Sequence, residues 1–312
     1  MIFITTYKCP DIDGIACTLG YLEFLKAQKQ EAKVTFVGDL SREVEFVKEY
    51  TGYFPAARHK GRYPDGAEFV LVDTADPDAI ESTIPLEKVT TVFDHRELVF
   101  SGKFTKARLK IEKVGSCATL IVELLQRKKI TPSKNVAVYL YSAIISNTVR
   151  FKNSVTTSRD IAAAKYLKLI ARIPNSYVER MFEFKSRIKR QEDLLFLLNQ
   201  DFVTHQMKGR GVMIAQVEIA ELEEVVNKNL KAIQIWLKKT KREEKLDYAL
   251  FTGIDINKGF NLFITVDKKS DEFFSRVLGV SKINGQLKQA GIIMRKQIWP
   301  KVEKIINICS AV

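Results

Sequence analysis

The first half of the chain alternates short apolar runs with longer segments of helical period. MIFITTY (1–7) reads as a buried strand, and Ile15 to Ala27 carries apolar residues at helical spacing. KVTFVG (33–38) predicts a second strand and Arg42 to Tyr50 a helix. Two more β-branched runs, EFVLVD (68–73) and VTTVFD (89–94), each end at an aspartate. Strands alternating with helices predict an α/β fold whose N-terminal part is a mostly parallel open sheet with helices on both faces. Helical patterns then dominate, over Ala118 to Arg127, Lys134 to Ser146, Thr157 to Ala171 and Asn175 to Glu183.

The segment from Lys185 to Gln191 is charged and poor in apolar residues. It predicts a boundary, with one domain over 1–186, a linker over 187–191 and a second domain over 192–312; a chain of this length suits two cores better than one. The second half predicts a helix from Glu192 to Asn199, a strand over 211–220 and a long amphipathic helix from Leu222 to Lys239. Adjacent strands over 247–256 and 259–267, a helix from Asp271 to Leu278, a strand around 291–294 and a helix after Pro300 complete a smaller C-terminal α/β domain.

Composition narrows the class. A hydrophobic fraction of 46% with 28% charged residues is that of a soluble globular protein. No run approaches the roughly 20 apolar residues of a bilayer span, so no membrane role is expected. The opening segment has neither a basic region nor a cleavage-site pattern, and the cytoplasm is the expected location. Four cysteines, Cys9, Cys17, Cys117 and Cys309, fall at no zinc-like spacing. A net charge of +13 calls for an anionic partner such as a phosphorylated small molecule, nucleic acid or a membrane surface, although each basic cluster also reads as a solvated helix face. The basic clusters are not interleaved with aromatics as a single-strand platform requires, so nucleic acid is not favoured.

The chemistry is suggested by position. Asp11 with Asp13, Asp73, and Asp94 beside His95 all fall where first-domain strands end, and open α/β sheets bind ligands beyond those ends. An aspartate there is also a common turn former or helix N-cap. Several carboxylates converging in one crevice repel one another unless a cation joins them. Carboxylates with an imidazole suit Mg²⁺ or Mn²⁺, which polarise phosphoryl oxygens and activate water. Gly115-Ser116 before a helix offers backbone N–H groups to an anion, or a serine N-cap without any ligand.

In sequence order these segments resemble the four motifs of the DHH phosphoesterase superfamily: Lys8-Cys9-Pro10-Asp11-Ile12-Asp13-Gly14, Val72-Asp73, Asp94-His95-Arg96 and Gly115-Ser116-Cys117-Ala118-Thr119. Ser142-Ala143-Ile144-Ile145-Ser146-Asn147-Thr148, then Phe151-Lys152 and Thr156-Thr157, resembles family II (manganese-dependent) inorganic pyrophosphatases. Ile214 to Glu218 and Arg295 to Pro300 extend the likeness over almost the whole chain. The resemblance implies a metal-dependent phosphohydrolase with its metal cluster in the first domain and cationic phosphate-binding groups in the second. Its catalytic residues would be Asp11, Asp13, Asp73, Asp94 and His95, and its metal ligands Asp11, Asp13, Asp73, His95 and Asn147. Arg96, Lys152, Arg295, Lys296 and Ser116 would bind substrate. Pyrophosphate, short polyphosphate and an oligonucleotide phosphoester all suit such a site, and a homodimer is left open. A second reading is a degenerate homologue that binds a phosphorylated ligand without turnover.

Several positions depart from the family pattern. Its leading histidine falls on Tyr7, the second histidine of the D-H-H triplet on Arg96, the aspartate of the I-S-D-T stretch on Asn147, and the asparagine before Pro10 on Cys9. Fewer imidazoles make a harder ligand set that favours Mg²⁺ over Mn²⁺. Asn147 brings a carbonyl oxygen without charge, and Arg96 brings a fixed positive charge. The position served by Asp13, Asp73 and His95 is the best preserved, which predicts one firmly bound divalent ion and a second held loosely or only with substrate. His59 and His205 match no family position and are read as surface residues.

Overall fold

The computed structural model describes residues 1–96, 103–186, 188, 190–283 and 285–309. The chain divides into two compact units, Met1–Lys185 and Ser186–Val312.

The first unit is built on six parallel strands: β1 (Ile2–Thr5), β2 (Ala32–Phe36), β3 (Ala57–Arg58), β4 (Glu68–Val72), β5 (Val89–Asp94) and β6 (Arg108–Ile111). Their order is β3-β2-β1-β4-β5-β6, so the winding reverses between β1 and β4. Loops leaving neighbouring strands at such a reversal diverge and open a crevice beyond the strand ends. This is the open parallel sheet that the alternating pattern predicts. Alternation along the strands separates two packing surfaces: Phe3, Phe69, Leu71, Val89 and Val92 join Ala75, Ile80, Ile84 and Phe104 in one buried cluster.

Helix α1 (Ile12–Ala27) follows β1, and every residue from Ile12 to Leu22 is buried. It packs against β1 and β2 and against two further helices, α3 (Cys117–Arg127) and α4 (Lys134–Asn147). Enclosure on all sides explains why it is apolar all round rather than striped. Between β2 and β3 runs α2 (Arg42–Thr51), capped by Ser41 and stopped by the left-handed Gly52. After α4 come α5 (Ser158–Ala171) and α6 (Tyr177–Ser186). At the α2–α4–α6 junction, Lys185 Nζ lies 2.5 Å from Glu43 Oε1 and 3.0 Å from Ser146 Oγ, with side chains only 8% and 12% exposed for Lys185 and Glu43.

The second unit opens with α7 (Gln191–Gln200) and a hairpin of β7 (Phe202–Met207) and β8 (Arg210–Ile219). Both turn residues, Lys208 and Gly209, have positive φ, as a two-residue hairpin turn requires. Next come α8 (Leu222–Glu243), β9 (Tyr248–Asp255), β10 (Phe260–Ile264), α9 (Lys268–Leu278), β11 (Gln286–Ala290) and α10 (Arg295–Cys309). The five strands are ordered β11-β10-β9-β8-β7, and only the β8–β9 pair is parallel. Met213, Ala215 and Val217 face a core shared with α7 and α8, while Val212 and Ile214 face one shared with α9 and α10.

Two expectations for this unit are corrected. The strand expected around 291–294 lies at β11, because Ile292 and Met294 are buried in the connection to α10 without extending the sheet. The final helix begins at Arg295, not after Pro300, and Pro300 sits inside it. In the first unit His59 is partly buried, its ring stacked on Tyr63 with centroids 3.7 Å apart.

Candidate metal centre

Three side chains from three strand ends converge. Asp13, in the first turn of α1, Asp73, just past β4, and His95, just past β5, are all buried. Each offers one ligand atom, and these atoms lie within 4.8 Å of one another. His95 Nε2 is 3.4 Å from Asp73 Oδ1 and 3.9 Å from Asp13 Oδ2.

Backbone groups hold Asp13 and His95. Asp13 is gripped by the N-terminus of α3: Oδ2 accepts from Cys117 N–H at 2.9 Å, and Oδ1 accepts from Ala118 N–H and Ser116 Oγ, each at 2.9 Å. Free N–H groups and the helix dipole make that end an anion site, and here the anion is the protein's own carboxylate. Asn147 Nδ2 also donates to Asp13 Oδ2. His95 Nδ1 lies 3.0 Å from the carbonyl oxygen of Val114. A carbonyl only accepts, so Nδ1 carries a proton, and Nε2 is the ring atom that faces the two carboxylates and is placed to ligate a metal. Asp73 has a left-handed backbone, φ 57°, a conformation aspartate tolerates better than most residues.

Asp94 and Arg96 form the adjoining wall. Asp94 Oδ1 accepts from His95 N–H at 2.7 Å, Arg96 N–H at 3.1 Å and Arg96 Nε at 3.0 Å. Arg96 Nη2 donates to the Asp73 carbonyl and lies 3.5 Å from Asp73 Oδ1. The guanidinium carbon is 5.7 Å from the centroid of the Tyr7 ring.

Asp11 is the N-cap of α1: its Oδ1 accepts from Asp13 N–H at 2.7 Å and Gly14 N–H at 3.1 Å, and it is not one of the converging three. The turn-former alternative thus describes this residue well. Asn147 reaches Asp13 through nitrogen, and half a turn of the amide would present its oxygen instead. Ser116 is a helix N-cap that also donates to Asp13. Lys152 is exposed in the turn after α4. Arg295 and Lys296 open α10 in the second unit, where Arg295 Nη2 pairs with Asp201 Oδ1 at 2.5 Å.

The electrostatics call for a cation. Burial first, then the neighbouring Asp13 charge, pushes the Asp73 carboxyl well above its usual range. Burial, with Asp13 and Glu43 nearby, raises Asp11 to about 6. Burial, then Asp11 and Asp73, raises the Tyr7 phenol and keeps it neutral. A proton on His95 Nε2 or on a carboxyl relieves the repulsion among these groups, and a divalent ion does so by taking all three as ligands. An octahedral divalent ion with bonds of about 2.1 Å spaces neighbouring ligands about 3 Å apart and opposite ones about 4.2 Å apart. The two carboxylates and imidazole therefore fit such an ion in donor type and spacing.

Sequence reasoning missed Asp160. This buried carboxylate accepts from Gly115 N–H at 2.9 Å, Ser116 N–H at 3.3 Å, Thr119 Oγ1 at 2.6 Å, Thr157 N–H at 2.8 Å and Thr157 Oγ1 at 2.7 Å. It closes the capping box of α5 and fixes the loop that holds Asp13. The Thr157-Ser158-Arg159-Asp160 spacing is a capping-box signature that would have flagged it.

Comparison with known proteins finds matches along both units. Residues 1–144 match the DHH family N-terminal domain and residues 179–305 the DHHA2 domain. The manganese-dependent inorganic pyrophosphatase of Methanocaldococcus jannaschii is 29% identical over 98% of this chain and 100% of its own length. A protein of Listeria welshimeri named "Probable manganese-dependent inorganic pyrophosphatase" is 25% identical over 93% of this chain and 94% of its own. A Methanococcus jannaschii crystal structure, described as a candidate family II inorganic pyrophosphatase, superposes with a TM-score of 0.86 at 28% identity over 98% of this chain and 100% of that one. An exopolyphosphatase-related protein of Bacteroides fragilis, at 14% identity and TM-score 0.51, shares the fold. With its carboxylates at the ends of β1, β4 and β5 and both domain models matched in order, the chain carries a DHH family N-terminal domain followed by a DHHA2 domain.

Proposed function

We propose that the chain is a divalent-metal-dependent hydrolase of phosphoanhydrides, with inorganic pyrophosphate as its first candidate substrate. The observation that carries the reading is the convergence of three buried side chains, Asp13, Asp73 and His95, whose ligand atoms lie within 4.8 Å of one another. Full-length similarity to proteins named manganese-dependent inorganic pyrophosphatases supports the substrate class.

Asp13, Asp73 and His95 would hold Mn²⁺ or Mg²⁺. When bound, such an ion supplies Lewis-acid polarisation of phosphoryl oxygens and lowers the pKa of water. The surrounding residues have tasks of their own. Val114 fixes the His95 tautomer, Ser116 and the α3 amides orient Asp13, and Asp94 aims the Arg96 guanidinium. The Arg96 side chain is 41% exposed, so its outer edge can grip a phosphate oxygen. Lys152 in the first unit, and Arg295 and Lys296 in the second, are further candidates for phosphate contacts.

Phosphate release from pyrophosphate, tripolyphosphate and a nucleotide phosphoester, assayed with Mn²⁺ and with Mg²⁺, tests the reading. Turnover of pyrophosphate that Asp73→Ala abolishes supports it. Wild-type protein no faster than Asp73→Ala on every substrate overturns it in favour of a phosphate-binding homologue without turnover. The presence of Arg96 and Tyr7 at the edge of the cluster is the observation favouring that second reading.

A further inference from the structure

We propose that Arg96 is a permanent cation built into the carboxylate cluster, and that the chain accordingly binds one divalent ion, at Asp13, Asp73 and His95, and not two. The inference rests on reading those three residues as metal ligands.

The argument starts at Asp73. Its Oδ1 is approached from one direction by His95 Nε2 at 3.4 Å and from another by Arg96 Nη2 at 3.5 Å. The first approach brings together two of the three candidate ligand atoms of the ion. The second is already satisfied, because the guanidinium is the cation. Arg96 is fixed there by four contacts: its Nε and N–H on Asp94 Oδ1, and Nη2 on both the carbonyl and the carboxylate of Asp73. The left-handed backbone at Asp73 accompanies the exposure of that carbonyl to the guanidinium.

A second divalent ion on this side of Asp73 would have to share Asp73 and draw on Asp94, Asp11 or Tyr7. Each already has an oxygen engaged. Asp94 Oδ1 takes three donors, Asp11 Oδ1 caps α1, and the Tyr7 oxygen accepts from Asp11 N–H at 3.3 Å. Tyr7 contributes a phenol and the face of its ring in place of an imidazole. A doubly charged ion would also meet the guanidinium at close range and be repelled. Charge balance points the same way. Of the four carboxylates Asp11, Asp13, Asp73 and Asp94, one is neutralised by Arg96, leaving a surplus that a single divalent ion largely removes. The arginine is thus a metal substitute that cannot dissociate, be chelated or exchange.

Equilibrium titration of chelator-treated protein with Mn²⁺, followed by calorimetry and by electron paramagnetic resonance, tests this directly. The wild type is expected to bind one ion per chain and to show no exchange-coupled signal. Arg96→Gln removes the positive charge and is expected to tighten that site by about tenfold. The double variant Tyr7→His/Arg96→His supplies two imidazoles and is expected to bind two ions, with the coupled spectrum of a dinuclear site. Two ions in the wild type, or unchanged affinity in Arg96→Gln, would overturn the proposal. A double variant that folds, by its circular dichroism, yet still binds one ion also counts against it. No ion in the wild type removes the metal-ligand reading itself, an outcome distinct from all of these.

Discussion

The backbone N–H of Cys117 donates to Asp13 Oδ2 at 2.9 Å, joining residues 104 positions apart in the chain. The contact lays the N-terminus of α3 on a carboxylate in the first turn of α1, so two helices share one buried charge. Ser116 adds its hydroxyl to the same carboxylate. Ser116→Ala keeps both amides and deletes the hydroxyl. Groups that orient a metal ligand typically contribute 10–100-fold in affinity. Mn²⁺ titration of Ser116→Ala should therefore show roughly tenfold weaker binding, with a stability loss of about 1 kcal/mol from the missing cap. Unchanged affinity would refute an orienting role for the hydroxyl.

Asp160 is the other anchor of that loop. Asparagine in its place turns one acceptor oxygen into a donor facing N–H and O–H groups that already need acceptors. Asp160→Asn should destabilise the fold by about 2–3 kcal/mol in urea denaturation, since buried donors would lose their partners. Gly115→Ala strains the same place differently: a Cβ there would lie 2.6 Å from Thr148 Cγ2 and 3.0 Å from Asp160 Oδ2. Stability within error of wild type for both variants would contradict this account of the loop.

Glu43 and Lys185 form a buried pair whose effect depends on pH. Burial alone would raise the Glu43 carboxyl, but Lys185 beside it wins and holds it below its usual value. A depressed folded pKa means a stabilising contribution that is complete above the unfolded value near 4.5 and lost as pH falls through the folded one. Lys185→Met leaves Glu43 buried without its partner and should cost about 3–5 kcal/mol at pH 7. Adding Glu43→Gln should recover much of that loss. Denaturation curves at pH 7 and pH 3.5 measure both effects, and a Lys185→Met loss that is the same at both values would rule out the pairing.

Asp11 has the opposite sign. Its folded pKa of about 6 lies above the ordinary carboxyl value, so ionisation opposes folding in the metal-free protein. That penalty is absent below the unfolded pKa, grows as pH rises toward 6 and is complete above it. Asparagine caps helices about as well as aspartate, so Asp11→Asn removes the charge and keeps the cap. In chelator, Asp11→Asn should melt several degrees above wild type at pH 8 and level with it at pH 4. A gap independent of pH would show that the cap, and not the charge, had changed.

The sequence made some strands far more legible than others, and the difference follows their place in the sheets. β1, β4 and β5 are flanked on both sides and buried on both faces, so they read as continuous apolar runs. β3, β6 and β7, which no apolar run announced, and β11, expected a few residues further on, are the four sheet edges. An edge strand such as Gln286–Ala290 is half exposed and polar, and it carries little signal. The site divides similarly. Asp13, Asp73 and His95 stood out because chemistry-bearing residues at strand ends are few. Their supports were hidden, because Val114 acts through its carbonyl and Cys117 through its amide, groups that every residue there would offer.

Anchoring of the three ligand groups before any ion arrives sets how an ion comes and goes. Asp13, His95 and Asp73 are oriented by helix amides, a carbonyl and a guanidinium respectively, all settled when the chain folds. Loading then requires little rotamer freezing, so exchange should be governed by how readily the ion sheds its hydration water. Mg²⁺ dehydrates reluctantly, and a rigid ring of fixed aperture should therefore fill faster with a softer, more labile ion of similar radius.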